Sequence, residues 1–135
     1  MPGKIRFSSP AGNGPALGPF QKLRFEGEKL YAWPQRELVA EHVGHHWVAQ
    51  GQEFSRLDLF ADEVLVAFEG EGGERSRELG PFSHFSCVNG VAYGDRRIVA
   101  FCDPDRGDWF SYDVGSRWST MVVTLTLIQK GRTGR

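Results

Sequence analysis

The sequence has almost no surplus charge: 16 Lys and Arg stand against 17 Asp and Glu, a formal net charge of −1. Phosphate backbones are bound chiefly by Lys and Arg that neutralise them, so no nucleic-acid partner is expected. The basic cluster Lys130, Arg132 and Arg135, in residues 129–135, has no aromatic neighbour and has the pattern of a solvated, flexible tail. Long apolar runs are also missing. The longest, residues 121–128, is interrupted by Thr124 and Thr126, whereas a membrane-spanning helix needs roughly 20 apolar residues. No membrane partner is expected. Met1-Pro2-Gly3-Lys4-Ile5-Arg6-Phe7 lacks the continuous apolar segment of a secretory signal, so the expected location is cytoplasmic. Cysteine is scarce, with only Cys87 and Cys102. A single domain of 135 residues buries roughly two thirds of its unfolded surface and needs neither a disulfide nor a metal to hold a core.

Glycine and proline are plentiful, 17 and 7 of 135 residues, which implies many turns and few long helices. The chain also matches itself. Leu17-Gly18-Pro19-Phe20 recurs as Leu79-Gly80-Pro81-Phe82, an offset of 62 residues. Tyr31 matches Tyr93 and Trp47 matches Trp109 at the same offset, Leu38-Val39-Ala40 matches Ile98-Val99-Ala100 at 60, and Gly51-Gln52-Glu53-Phe54-Ser55 matches Gly115-Ser116-Arg117-Trp118-Ser119 at 64. Two pseudo-repeats result, residues 4–60 and 63–127, with the drifts falling in turns.

Residues 20–25 and 82–87 carry apolar side chains that mostly alternate, the period of a half-buried strand. Further strands are expected at 30–33 and 91–93, 38–43 and 98–102, 46–49 and 109–112, and 54–60 and 118–128, separated by Pro34, Gly44, Gly51, Asp103-Pro104 and Gly115. Asn89-Gly90 is the strongest hairpin signal, because both residues accept the positive φ of a type I′ turn. A helix over residues 36–49 competes on propensity, but the matching segment 97–110 contains Val99, Phe101, Pro104 and Gly107 and cannot be one helix. Strands are therefore expected in both halves. With two more short apolar strands at Ile5-Arg6-Phe7 and Ala67-Phe68-Glu69, up to twelve short antiparallel strands in a meander follow, closed as a barrel or packed as a β-sandwich. Cys87 and Cys102 then flank the 91–93 strand about 9–10 Å apart at the usual strand spacing, too far for a disulfide. Two reduced core thiols are expected.

Val88-Asn89-Gly90-Val91-Ala92-Tyr93, followed by Ile98-Val99-Ala100-Phe101-Cys102-Asp103-Pro104 and Trp109, resembles the blade pattern of kelch and F-box-associated β-propellers; Glu26-Gly27, Leu30-Tyr31, Leu38-Val39-Ala40 and Trp47 echo it. The kelch Gly-Gly doublet is absent, with Tyr93-Gly94-Asp95 in its place, and the period exceeds the roughly 50 residues of a kelch blade. The resemblance implies propeller-like blades. Two blades cannot close a propeller, so that alternative requires completion by oligomerisation, and monomer and homo-oligomer both remain open.

Positions shared by the two halves are assigned to scaffold, and positions that differ are freer to serve function. The largest difference separates Glu41-His42-Val43-Gly44-His45-His46 from Asp103-Pro104-Asp105-Arg106-Gly107-Asp108. His42 and His46, if they share a face across the Gly44 turn, suit zinc or copper through neutral imidazole, with Glu41 or His45 as a third ligand. Exposed turn histidines are the plainer reading. Asp103, Asp105 and Asp108 offer hard oxygen ligands without the remainder of a calcium loop, and an acidic turn is the plainer reading there. His84 and Cys87 are three apart on one strand and point to opposite faces, so they make no catalytic pair. Ser83, Ser86 and Ser119 lack a nucleophile elbow. The acidic, Gly-rich residues 69–78 read as a mobile connection. Trp33, beside Pro34 at a turn, and Trp118, after Gly115-Ser116-Arg117, stand at strand ends where a ring near polar groups suits stacking against a ligand, and rim packing that closes the core is the plainer reading. The expected function is a non-catalytic module that binds a protein or a carbohydrate through Trp33, Trp118, Asp103, Asp105, Arg106 and Asp108. No cofactor is expected for that module. The alternatives are a small metal-dependent enzyme centred on His42, His45 and His46, which would take zinc, and a subunit of an oligomeric propeller.

Overall fold

The computed structural model describes residues 3–126; the basic cluster Lys130, Arg132 and Arg135 lies outside the described residues. Sixteen strands follow in order: β1 (Gly3–Ser9), β2 (Gly12–Phe20), β3 (Lys22–Glu26), β4 (Lys29–Trp33), β5 (Glu37–Val43), β6 (His46–Ala49), β7 (Gln52–Phe54), β8 (Arg56–Phe60), β9 (Glu63–Glu69), β10 (Leu79–Phe82), β11 (Phe85–Val88), β12 (Val91–Gly94), β13 (Arg97–Asp103), β14 (Asp108–Ser111), β15 (Ser116–Trp118) and β16 (Thr120–Thr126). There is no helix among the described residues, and none therefore that is long and apolar enough to cross a membrane.

The strands form two eight-stranded antiparallel sheets. Sheet I has the order β15-β14-β13-β12-β11-β8-β1-β2, and sheet II the order β10-β9-β16-β3-β4-β5-β6-β7. Each order has two open ends, so the closed barrel is not found among the described residues. Replacing every strand of sheet I by the one eight places away in the chain gives sheet II read backwards. Each sheet thus combines five consecutive strands from one half of the chain with three from the other.

This exchange explains where the expected strands were wrong. Residues 20–25 are not one strand, because the chain leaves sheet I at Gln21 and resumes in sheet II; residues 82–87 divide in the same way at Ser83 and His84. Residues 54–60 divide at Ser55, and 118–128 at Ser119, again where the chain changes sheets. Only β3–β7 and β11–β15 are simple meanders. Gly18-Pro19 lies near the end of β2 and Gly80-Pro81 within β10. Both peptide bonds are cis. The Asn89-Gly90 turn has the expected form, with φ of 50° and 83° joining β11 to β12.

Alternation of apolar side chains directs one face of each sheet inward. In β1, Gly3, Ile5 and Phe7 are buried while Lys4 and Arg6 are exposed, and β3 buries Leu23 and Phe25 in the same rhythm. Aromatic rings join the layers. Phe25 of sheet II meets Trp47 on its own sheet and Trp109 on the other, each edge-on at 5.6 Å between centroids. Phe7 against Phe54 (5.7 Å, 34°) and Phe68 against Trp118 (6.2 Å, 33°) are a corresponding pair of cross-layer contacts. Cys87 and Cys102 are buried, unbridged thiols.

Phe25 is 1% exposed and touches both tryptophans. Phe25→Ala is expected to lower the unfolding free energy by about 3–5 kcal/mol, because it removes an aromatic ring from a closed core. Ile98→Ala, at a side chain 48% exposed, is expected to change it by less than about 0.5 kcal/mol. Urea midpoints at constant m-value check this, and similar losses at the two positions would contradict the assignment of Phe25 to the junction of the layers.

Candidate functional site

A cleft of about 590 Å³ opens where the β9–β10 connection faces the β13–β14 turn and β15 with the adjoining Ser119. Its walls include Glu71, Glu74, Arg106, Asp108, Arg117 and Trp118. The β9–β10 connection is held by backbone bonds from Gly70 N–H to Glu74 and from Ser76 N–H to Phe68, and by a bridge between Glu69 and Arg75. The stretch expected as a mobile connection is therefore a pinned wall of the cleft.

The opposite wall is braced by one guanidinium. Arg117 Nη1 donates to Asp103 Oδ2 at 3.0 Å and to Asp108 Oδ1 at 3.1 Å. Asp103 Oδ1 accepts the backbone N–H of Asp105, and the Asp103 carbonyl accepts those of Arg106 and Gly107. For the Asp103 carboxyl, desolvation acts upward, but the backbone N–H of Asp105 and the Arg117 guanidinium outweigh it and hold its pKa below the ordinary value. Two carboxylates of the acidic turn are thus engaged by Arg117, and Asp105 contributes through its backbone. Arg106 Nε lies 3.6 Å from Asp108 Oδ2.

Of the residues chosen from the sequence, Trp118, Arg106 and Asp108 line this cleft, and Asp103 and Asp105 set the turn behind it. Trp33 does not line it. That ring stands on sheet II with Lys22 Nζ 4.5 Å from its centroid and the Arg36 guanidinium at 6.0 Å.

The sequence reading passed over three further rings. Phe101, Phe110 and Tyr112 pack together on the outer side of sheet I at 5.3–5.8 Å, and Arg117 reaches over Phe110 at 6.0 Å. Tyr112 is 56% exposed. Corresponding places in sheet II hold Glu41, Val48 and Gln50, and Arg117 corresponds to Glu53. Comparison of the two halves position by position contained that signal. It lies outside the turns that precede Trp47 and Trp109.

The histidines are not brought together as expected. In the β5–β6 hairpin, His42 pairs with Trp47 and Val43 with His46. Side chains alternate along a strand, so His42 points inward with Trp47 while His46 points outward with Val43. His42 is buried, 4.4 Å from Trp47 and 6.4 Å from Trp109 between ring centroids, whereas His45 and His46 are exposed. The expected common face of His42 and His46 is absent, and His42 is not a solvent-exposed turn residue. No group of three or more His, Cys, Asp or Glu side chains is placed to hold a metal among the described residues. Burial, reinforced by the nearby charges of His45 and His46, pushes the His42 pKa down to about 4. Burial likewise drives the Cys87 thiol up and raises Cys102 to about 12, so neither is a ready nucleophile.

His42 stays neutral in the folded chain down to about pH 4, while an unfolded imidazole takes up its proton near pH 6.5. Stability is therefore expected to be undiminished above pH 6.5 and to fall between pH 6.5 and 4, by roughly 3 kcal/mol from this residue. Urea unfolding at pH 7 and pH 4.5 measures the slope; His42→Phe should remove most of it, and an unchanged slope would contradict the buried neutral imidazole. Comparison of the chain with protein-family models, curated proteins and solved structures finds no match.

Proposed function

We propose that this protein is a non-catalytic binding module that takes a carbohydrate or a protein segment at the cleft and the aromatic group beside it. The observation that carries this reading is the cluster of Phe101, Phe110 and Tyr112 next to the Asp103–Arg117–Asp108 brace, at places where sheet II has no such rings. Packed rings offer a stacking surface with little entropy left to lose, and the braced carboxylates and guanidinium offer fixed polar contacts beside it. Glu71, Glu74, Asp108, Arg106 and Ser116 give the cleft a dense mixture of donors and acceptors. A polyhydroxylated ligand uses both kinds of group, which favours the carbohydrate. The metal-enzyme alternative has less support, because His42 and His46 point to opposite sides of their hairpin.

The cross-layer ring contacts favour a self-contained β-sandwich over blades completed by other chains, since each sheet already buries its inner face against the other. The matching strand orders support the reading of two pseudo-repeats, with strands exchanged between the sheets.

Titration calorimetry against a panel of neutral and acidic oligosaccharides tests the function. Phe110→Ala and Arg117→Ala are each expected to weaken the best ligand by about tenfold or more, as truncation of an anchoring residue does. Undiminished affinity in both variants would overturn the cleft assignment. Absence of binding across the panel would remove the carbohydrate and leave the protein ligand.

A further inference from the structure

The outer side of sheet I has a second group of polar residues that the cleft does not use. Asp58 stands mid-way along β8, 8% exposed although it faces outward. Arg56 donates to it through Nε at 2.7 Å and Nη2 at 3.0 Å, and His84 Nε2 contributes a third bond at 3.0 Å. A carboxylate only accepts, so Nε2 of His84 carries the proton. Arg6, Asp58, Ser86 and Tyr93 follow one another across four paired strands. Arg56, His84, Ser86, Val88, Tyr93 and Arg96 line a pocket of about 510 Å³ over this row.

Asp58 fixes the Arg56 fork and the His84 ring, and uses up only part of the local positive charge. Arg56 engages Asp58 through Nε and Nη2, so its Nη1 donors remain available. Arg96, in the β12–β13 turn at φ 74°, has no ion-pair or hydrogen-bond partner among the described residues, and neither has the Ser86 hydroxyl. Sheet II lacks this arrangement at the corresponding places: Val122 replaces Asp58, Lys22 replaces His84, and Arg24, in place of Ser86, is tied to Glu26 and Glu69 at 2.8 and 2.9 Å.

We propose that this pocket binds a tetrahedral oxyanion, a phosphate or sulfate group, through Arg56, Arg96, Ser86 and Tyr93, with the His84 ring as part of its wall. A fork-shaped guanidinium held in place, a second cation and two hydroxyls supply the several converging donors that such a group takes. Asp58 is a positioning residue that never touches the anion.

The test is an NMR titration of the ¹⁵N-labelled protein with inorganic phosphate and with sulfate at low ionic strength. Saturable shifts are expected at residues 84–88 and 93–96. Arg96→Gly, which suits the positive φ, is expected to weaken binding by roughly tenfold, and Ser86→Ala to weaken it less. Arg36→Gly, at the corresponding turn of sheet II, should leave it unchanged, as should Phe110→Ala; failure of the cleft reading and failure of this one are thereby distinguishable. Shifts that do not saturate, or equal weakening by Arg96→Gly and Arg36→Gly, would overturn the proposal. Glucose 6-phosphate and a sulfated disaccharide form the second arm. Tighter binding of either ester than of the inorganic ion supports the site and puts its anion on a sugar, whereas tighter binding of the inorganic ion supports it as a site for the free anion.

Discussion

Phe25 lies edge-on to Trp47 in its own sheet and to Trp109 in the other, and the two-layer structure turns on this contact. Edge-to-face rings add roughly 0.5–1.5 kcal/mol per pair beyond the area they bury, and they are directional, so they set how the layers sit as well as how firmly. The residue that corresponds to Phe25 is Cys87, much smaller and also buried. One large and one small side chain at related places let both tryptophans share a single ring. Two phenylalanines there would compete for the same volume, at the cost that overpacking brings.

The junction has an electrostatic cost. Nε2 of His42 and the indole nitrogens of Trp47 and Trp109 are buried with no hydrogen-bond partner among the described residues. An imidazole in such surroundings is driven to its neutral form, because charge there would be neither solvated nor paired. His42 corresponds to Cys102, as Phe25 does to Cys87. The halves therefore differ most, inside the molecule, where their layers meet.

Outside, the differences lie on one sheet. Sheet I has Asp58, His84 and Ser86 near its centre and Phe101, Phe110 and Tyr112 toward one edge, while sheet II has ion pairs of Arg24 with Glu26 and Glu69. The row Val88, Val91, Phe101, Phe110 and Arg117 runs across five paired strands and connects the two groups. A scaffold with two similar sheets thus presents two chemically different outer faces, since the inward side chains answer to packing and the outward ones do not.

The all-β character was legible in alternation and in turn residues such as Asn89-Gly90, because both act within a few positions of the chain. The sequence matches itself at an offset near 62 residues, and the matched residues fall on strands eight places apart in the chain order. The crossings were not legible, since Gln21, Ser55 and Ser119 interrupt apolar runs without any glycine or proline to mark a break. Local pattern sets which residues of a strand face the same way. It carries no information about which distant strand completes the hydrogen bonds. The pairing of β8 with β1 and β11, and of β16 with β9 and β3, was therefore decided by the tertiary structure alone. That pairing in turn put Asp58 against His84, whereas Arg117 meets Asp103 and Asp108 within the β13–β15 meander. The sequence determined the kinds of side chain available and the strands on which they stand; only the packing of two layers decided which of them meet, because that depends on contacts between residues far apart in the chain.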